Sequence, residues 1–245
     1  MANFAVHFVT ALAASGLAAT SLLVTGLATP GEFGLYFALG TVGGLAPDVD
    51  SNNSTPLRLA FNLFSVVGAS LVMLRFTAKL SVVELCLLWA GVALTLRYGV
   101  FWAFNQLTIH RGVFHSIPAA LLFGFITTVA LYRLGRYPAF QSWIAGSFVT
   151  FGYLVHLTLD ELYSVNLYGV RFKRSFGTAL KFTSPRSQRA TLLLYLITGL
   201  AWYLTPTASH FLHTFKDPQL YQRMEQRFAP RIFSPPPYHN KSSGT

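Results

Sequence analysis

The chain has 245 residues, of which 53% are hydrophobic and only 11% charged, and it carries a net charge of +10. A soluble domain holds about 25% charged residues, so water is excluded as the main solvent, and apolar runs almost end to end leave no room for a separate soluble core. The basic excess sits in loops and in the C-terminal stretch, which makes anionic lipid headgroups the expected partner rather than nucleic acid. The single cysteine, Cys86, excludes an intrachain disulfide and a multi-cysteine zinc site.

The first apolar run covers residues 5–28. It resembles a signal sequence, yet no Lys or Arg precedes it and it is long enough to span a bilayer, which predicts a retained helix. His7 lies near its start, where a lone histidine reads first as structural. The second run, 33–46, is short for a span and fits a half-helix or re-entrant piece as well as a crossing. It ends in Gly43-Gly44-Leu45-Ala46-Pro47, and the proline turns the chain into a loop that displays Asp48 and Asp50. Two acids so spaced suit a hard cation. Asp48-Val49-Asp50-Ser51-Asn52 opens like a calcium loop, but Asn53 replaces the required glycine and Leu59 stands where a bidentate glutamate belongs, which excludes an EF-hand.

Runs at 59–74 and 81–104 follow, the second interrupted by Arg97, which is placed to snorkel or to reach a site. Next comes His110-Arg111-Gly112-Val113-Phe114-His115-Ser116. Its two histidines would stand about 140° apart on a helix, and Gly112 predicts a turn instead. Ser116 is a predicted N-cap with Pro118 in the first turn, setting His115 beside the positive end of the next helix. Arg111 suits a bidentate contact with phosphate or carboxylate, and interfacial anchoring is its plainer role.

The last three runs are 117–132, 138–160 and 190–206. His156 and Asp160 are four apart on the sixth run and so share a helix face; a divalent ion or a simple hydrogen bond would join them. Basic residues from Arg171 through Lys173, Arg174, Lys181 and Arg186 to Arg189 fill the loop before the seventh run. From Lys216 the chain turns polar, and Ser234-Pro235-Pro236-Pro237 predicts a partly disordered tail that holds no membrane helix. The expected fold is therefore an all-α, polytopic helical membrane protein of about five to seven membrane segments, with a membrane domain over 1–206 and a polar, Pro-rich tail over 207–245.

If every run crosses, alternation delivers His7, Asp48, Asp50, His110, His115, His156 and Asp160 to one membrane face. Four imidazoles and three carboxylates form a donor set suited to zinc, or to manganese or iron(II), rather than to calcium. Seven candidates exceed one tetrahedral shell, so one or two ions fit. Asp48, His110, His115, His156 and Asp160 are the preferred ligands, with His7 as an extra one. Asp50 reads as a bridging ligand or general base, and Arg111, helped by Ser116, as the group that neutralises developing charge. His210, His213 and His239 fall on the other side or in the tail. The convergent face also takes eight basic residues against four in the opposite short loops, which predicts a cytoplasmic site. Five more in the tail, on the other side, oppose that assignment.

The ordered set of His7, Gly43-Gly44-Leu45-Ala46-Pro47-Asp48-Val49-Asp50, His110-Arg111-Gly112-Val113-Phe114-His115-Ser116, and His156 with Asp160 resembles the bacterial family of LexA-regulated, membrane-bound metal-dependent hydrolases. The resemblance covers about residues 5–165. It implies an inner-membrane protein and metal-dependent hydrolysis. With the site at the membrane boundary and a basic loop to gather headgroups, the expected substrate is a lipid-like or other membrane-accessible phosphoester, or another ester. The rival class is a transporter or ion-binding membrane protein, which would set the same residues near the bilayer midplane.

Overall fold

The computed structural model describes residues 4–47, 55–100, 115–166, 171–172, 180–183 and 188–228. Seven apolar helices coincide with the seven apolar runs. They are α1 Phe4–Val24, α2 Pro30–Leu45, α3 Thr55–Phe76, α4 Val82–Leu94, α5 Ile117–Arg133, α6 Ala139–Ser164 and α7 Gln188–Tyr203. The chain is an all-α helical membrane protein, as expected; the described residues hold one strand pair, two residues long on each side, joining Val165–Asn166 to Arg171–Phe172. Among the described residues three helices are long and apolar enough to cross a membrane, over Phe4–Val24, Val82–Gly99 and Ala139–Tyr163, while Ile117–Arg133 is apolar but shorter.

Local chemistry explains the boundaries. Thr29 and Ser81 open α2 and α4 with capping boxes closed by Glu32 and Glu84. Ser116 caps α5, its hydroxyl accepting from the Ala119 N–H, with Pro118 in the first turn as the sequence predicts. Beyond Leu94 the backbone widens into π-helix over Thr95–Val100, at the position of Arg97. The short second run is one continuous 16-residue helix packed along α1 and α6. The stretch from 207 that composition marks as tail carries two more helices, α8 Ser209–Lys216 and α9 Pro218–Phe228.

Helix α6 is the central element, with α1, α2, α5 and α8 packed around it. In lipid no hydrophobic force separates helix from solvent, so close backbone approach must supply the attraction. Glycine provides that approach. A methyl group on Gly152 of α6 would collide with the Gly40 carbonyl of α2, and one on Gly43 would run into the backbone of Val149. On the other side of α6, Gly146 faces the Gly124 backbone of α5, and the Thr150 hydroxyl donates to the Ala120 carbonyl at 3.3 Å. Tyr36, Ile144 and Phe148 fill the core between α2 and α6; Ala119, Ala120, Tyr153 and Leu157 fill that between α5 and α6. Helices α3 and α4 pack chiefly on each other, joined by a 3.1 Å hydrogen bond from Trp89 Nε1 to Ser70 Oγ, and no residue of α4 is buried.

Candidate metal centre

The buried residues of α1 are His7, Ala11, Ser15, Ala19 and Leu22. Steps of four, four, four and three residues keep them on one stripe, so the packing that seats Ala11 against Gly44 also turns His7 inward. On α6 the same logic buries Tyr153, His156, Leu157 and Asp160. His115 enters from the N-terminal side of α5, one residue ahead of its cap. The elements alternate in direction, and the start of α1, the ends of α2 and α6 and the start of α5 meet there.

Asp160 is the centre of the group. Its Oδ1 lies 3.2 Å from His7 Nε2, and its Oδ2 lies 3.6 Å from His156 Nε2 and 3.7 Å from His115 Nε2. The imidazoles of His7 and His156 stack at 3.7 Å between centroids, and His115 meets His156 edge-on at 5.8 Å. Both Asp160 oxygens are buried with no donor in hydrogen-bond geometry among the described residues. A desolvated carboxylate in that state is costly unless a positive charge offsets it.

The donor set fits a divalent ion. Ligands about 2.0–2.1 Å from a tetrahedral centre stand about 3.3 Å from one another, and the Nε2-to-oxygen separations run from that value to slightly above it. One ligand atom from each of His7, His156 and Asp160 falls within a common 4.8 Å, and all three residues are buried. His156 Nδ1 donates to the Gly44 carbonyl at 2.8 Å, so in the neutral ring the lone pair falls on Nε2, the nitrogen that faces Asp160. Metal-binding histidines are typically oriented in this way, through a hydrogen bond from the second ring nitrogen. The last carbonyls of a helix lack intrahelical partners, so the end of α2 supplies an acceptor at no cost to its own ladder. His115 is the outer member, its side chain 14% exposed against 4% or less for the other three.

Of the residues singled out in the sequence, the structure brings His7, His115, His156 and Asp160 together. Ser116 is adjacent and buried, with its hydroxyl engaged at the Ala119 N–H. Asp48, Asp50, His110 and Arg111 lie outside the described residues. Arg97 is exposed, its guanidinium over the Tyr98 ring at 5.3 Å. His210 packs against Phe140 at the far end of the bundle, His213 is exposed on α8, and His239 lies outside the described residues. Two participants were undervalued or missed. His7, ranked as an extra ligand, makes the shortest contact to Asp160, and its register with Ala11, Ser15 and Ala19 was the available signal. The Gly44 carbonyl has no side-chain signature, although a glycine pair ending an apolar helix marks a close approach. The basic loop also returns to this end, since Ile117 N donates to the Lys181 carbonyl at 3.1 Å beside His115 and Ser116.

Fold and site together define a helical membrane protein with a buried histidine–aspartate centre. The chain matches the YdjM inner membrane protein family over residues 1–217 and belongs to that family. This is the LexA-regulated, membrane-bound family that the motifs resemble. Neither the curated proteins nor the solved structures provide a match to the chain.

Proposed function

We propose that the protein is a multi-pass, inner-membrane, metal-dependent hydrolase acting on a phosphoester of a lipid or another membrane-accessible substrate. The observation that supports this reading is the meeting of three imidazoles on one buried carboxylate at the spacing of a coordination shell, with the His156 tautomer set by the end of α2. His7, His115, His156 and Asp160 would hold the first ion. Asp48 follows Gly44 by four residues and His110 precedes His115 by five, which makes both candidates for further ligands of this ion or a second. A divalent ion bound there, zinc before manganese or iron, would supply Lewis-acid chemistry.

The chain's own residues do the remainder. Asp50 would serve as a further ligand or as general base toward the attacking water, and Arg111 would offset charge on the phosphoryl group. Close packing of α1, α2 and α6 keeps water from three of the four clustered side chains, so substrate approaches from the side of His115. That approach lies at helix ends, since His7 is in the first turn of α1 and Asp160 in the last turn and a half of α6. A transport pathway would instead set such groups near the midplane. We expect the basic loop around Lys181 to gather anionic headgroups on that side, and the excess of basic residues in the sequence favours the cytoplasmic face.

The test is metal content by mass spectrometry on detergent-purified protein, wild type beside His7→Ala, His115→Ala and Asp160→Ala. Stoichiometric zinc, manganese or iron in the wild type, lost in His7→Ala and Asp160→Ala and weakened in His115→Ala, is expected, followed by cleavage of lipid phosphoesters that tracks metal loading. No metal in any sample, even after it is added back, sinks the hydrolase reading. Metal retained with no cleavage of any ester favours ion binding or transport.

A further inference from the structure

The family match stops at residue 217, and α9 begins at Pro218. This helix returns to the end of α1 farthest from the histidines, roughly 27 Å along that helix from His7. Leu220, 1% exposed, seats it. Tyr221 Oη donates to the Phe215 carbonyl at 2.8 Å, and Asp217 Oδ1 accepts from the Gln219 N–H at 2.9 Å. Between α9 and the end of α1 lies a cleft of about 370 Å³ lined by Val24, Thr25, Gly26, Arg223 and Arg227.

Two exposed arginines one helical turn apart thus line a cleft with no acid among its lining residues. The ion-pair contacts among the described residues all belong to Asp160, so neither arginine is matched by a carboxylate there. Arg223 Nε donates to the Gln219 carbonyl at 3.3 Å, which steadies that side chain without using its terminal nitrogens. Nor does the end of α1 need the arginines. Gly26, at a φ of 76°, lets the chain close on itself, with Gly26 N donating to Leu23 O, and Leu27 N and Ala28 N to Leu22 O. Below the cleft, Leu17 and Val24 are seven residues apart, hence on one face of α1, and both are exposed.

We infer that this cleft binds an anionic phospholipid, its phosphate held by Arg223 and Arg227 and an acyl chain laid along Leu17 and Val24. Paired guanidiniums match phosphate oxygens, the end of a membrane-crossing helix sets them at headgroup depth, and the apolar face beneath selects a lipid over free phosphate.

The experiment is thermal unfolding of the full-length protein in neutral detergent, with dioleoyl phosphatidylglycerol, dioleoyl phosphatidylcholine or sodium phosphate added. Wild type and Arg133→Gln, a change at the same end of the bundle but outside the cleft, are expected to gain several degrees with phosphatidylglycerol over phosphatidylcholine. Arg223→Gln and Arg227→Gln are each expected to lose about half of that gain, and the double variant nearly all of it. Their melting temperatures in phosphatidylcholine should equal that of wild type, and their metal content should be unchanged, which separates this site from the histidine cluster. An equal gain in wild type and the double variant, or no gain in wild type, overturns the inference. Sodium phosphate reproducing the full gain overturns the lipid assignment.

Discussion

Asp160 shows how one side chain depends on contributions from distant parts of the chain. Its oxygens meet imidazoles from α1, from α6 and from the residue just before the α5 cap, while the orientation of His156 is decided by a carbonyl 112 residues earlier. The His156–Asp160 pair was legible because a spacing of four places both on one helix face. The third partner was legible only as a motif, and the Gly44 carbonyl was not legible at all, because a backbone acceptor leaves no trace in residue identity. Ser116 separates two roles that the sequence alone merges. If its hydroxyl serves the helix, Ser116→Ala should cost about 0.5–2 kcal/mol of stability, and Ser116→Asn, which restores a capping acceptor, should recover both stability and metal-dependent activity. Thermal unfolding alongside a phosphoesterase assay decides this: activity lost in Ser116→Asn at full stability returns the hydroxyl to the chemistry.

Among the elements, the crossing of α2 with α6 governs the site. Helix positions were legible from apolar runs, since hydropathy and length respond to the bilayer directly. Which helices touch was not, because between apolar helices in lipid the contact is decided by small residues and shape rather than by hydropathy. Gly40, Gly43, Gly44 and Gly152 carry that information, and Gly43-Gly44 was read for where the chain turns rather than for what it packs against. Gly152→Ala pushes a methyl group onto the Gly40 carbonyl, and overpacking of this kind costs roughly 1–3 kcal/mol. It also drives α2 off α6, so the expected result is a lower melting temperature together with weaker zinc retention. Gly199→Ala, at an α7 glycine with open space around it, should change neither; similar losses in both would deny the crossing its role. Helices α8 and α9 were hidden by the polar composition of their residues, which describes surface-lying helices as well as it describes disorder.

For the molecule as a whole, alternation of the seven helices places the histidine cluster at one end and the 204–208 turn at the other. In a Cys86→Ser background, Thr183→Cys near the cluster should react with a membrane-impermeant maleimide only in inverted vesicles, and Thr207→Cys only in intact spheroplasts. The reverse pattern would move the site to the outer face, as the five basic residues of the C-terminal stretch favour. The bundle itself is built unevenly: α6 is enclosed by neighbours, whereas seven of the thirteen α4 residues are exposed and none is buried. That asymmetry sets how freely each helix can drift in sequence. In a saturation-mutagenesis library scored for assembled protein, α4 should accept almost any exchange among Leu, Val, Ile, Phe and Ala at its exposed positions between Val82 and Leu94, since acyl chains adapt to whatever shape they meet. Along α6, tolerance should rise and fall every three to four residues, with its minima at Ala145, Val149, Gly152, His156 and Asp160. Two helices that are both long and apolar enough to cross a membrane thus carry very different amounts of information, one recording chiefly that it lies in oil, apart from its face on α3, and the other recording every neighbour it touches.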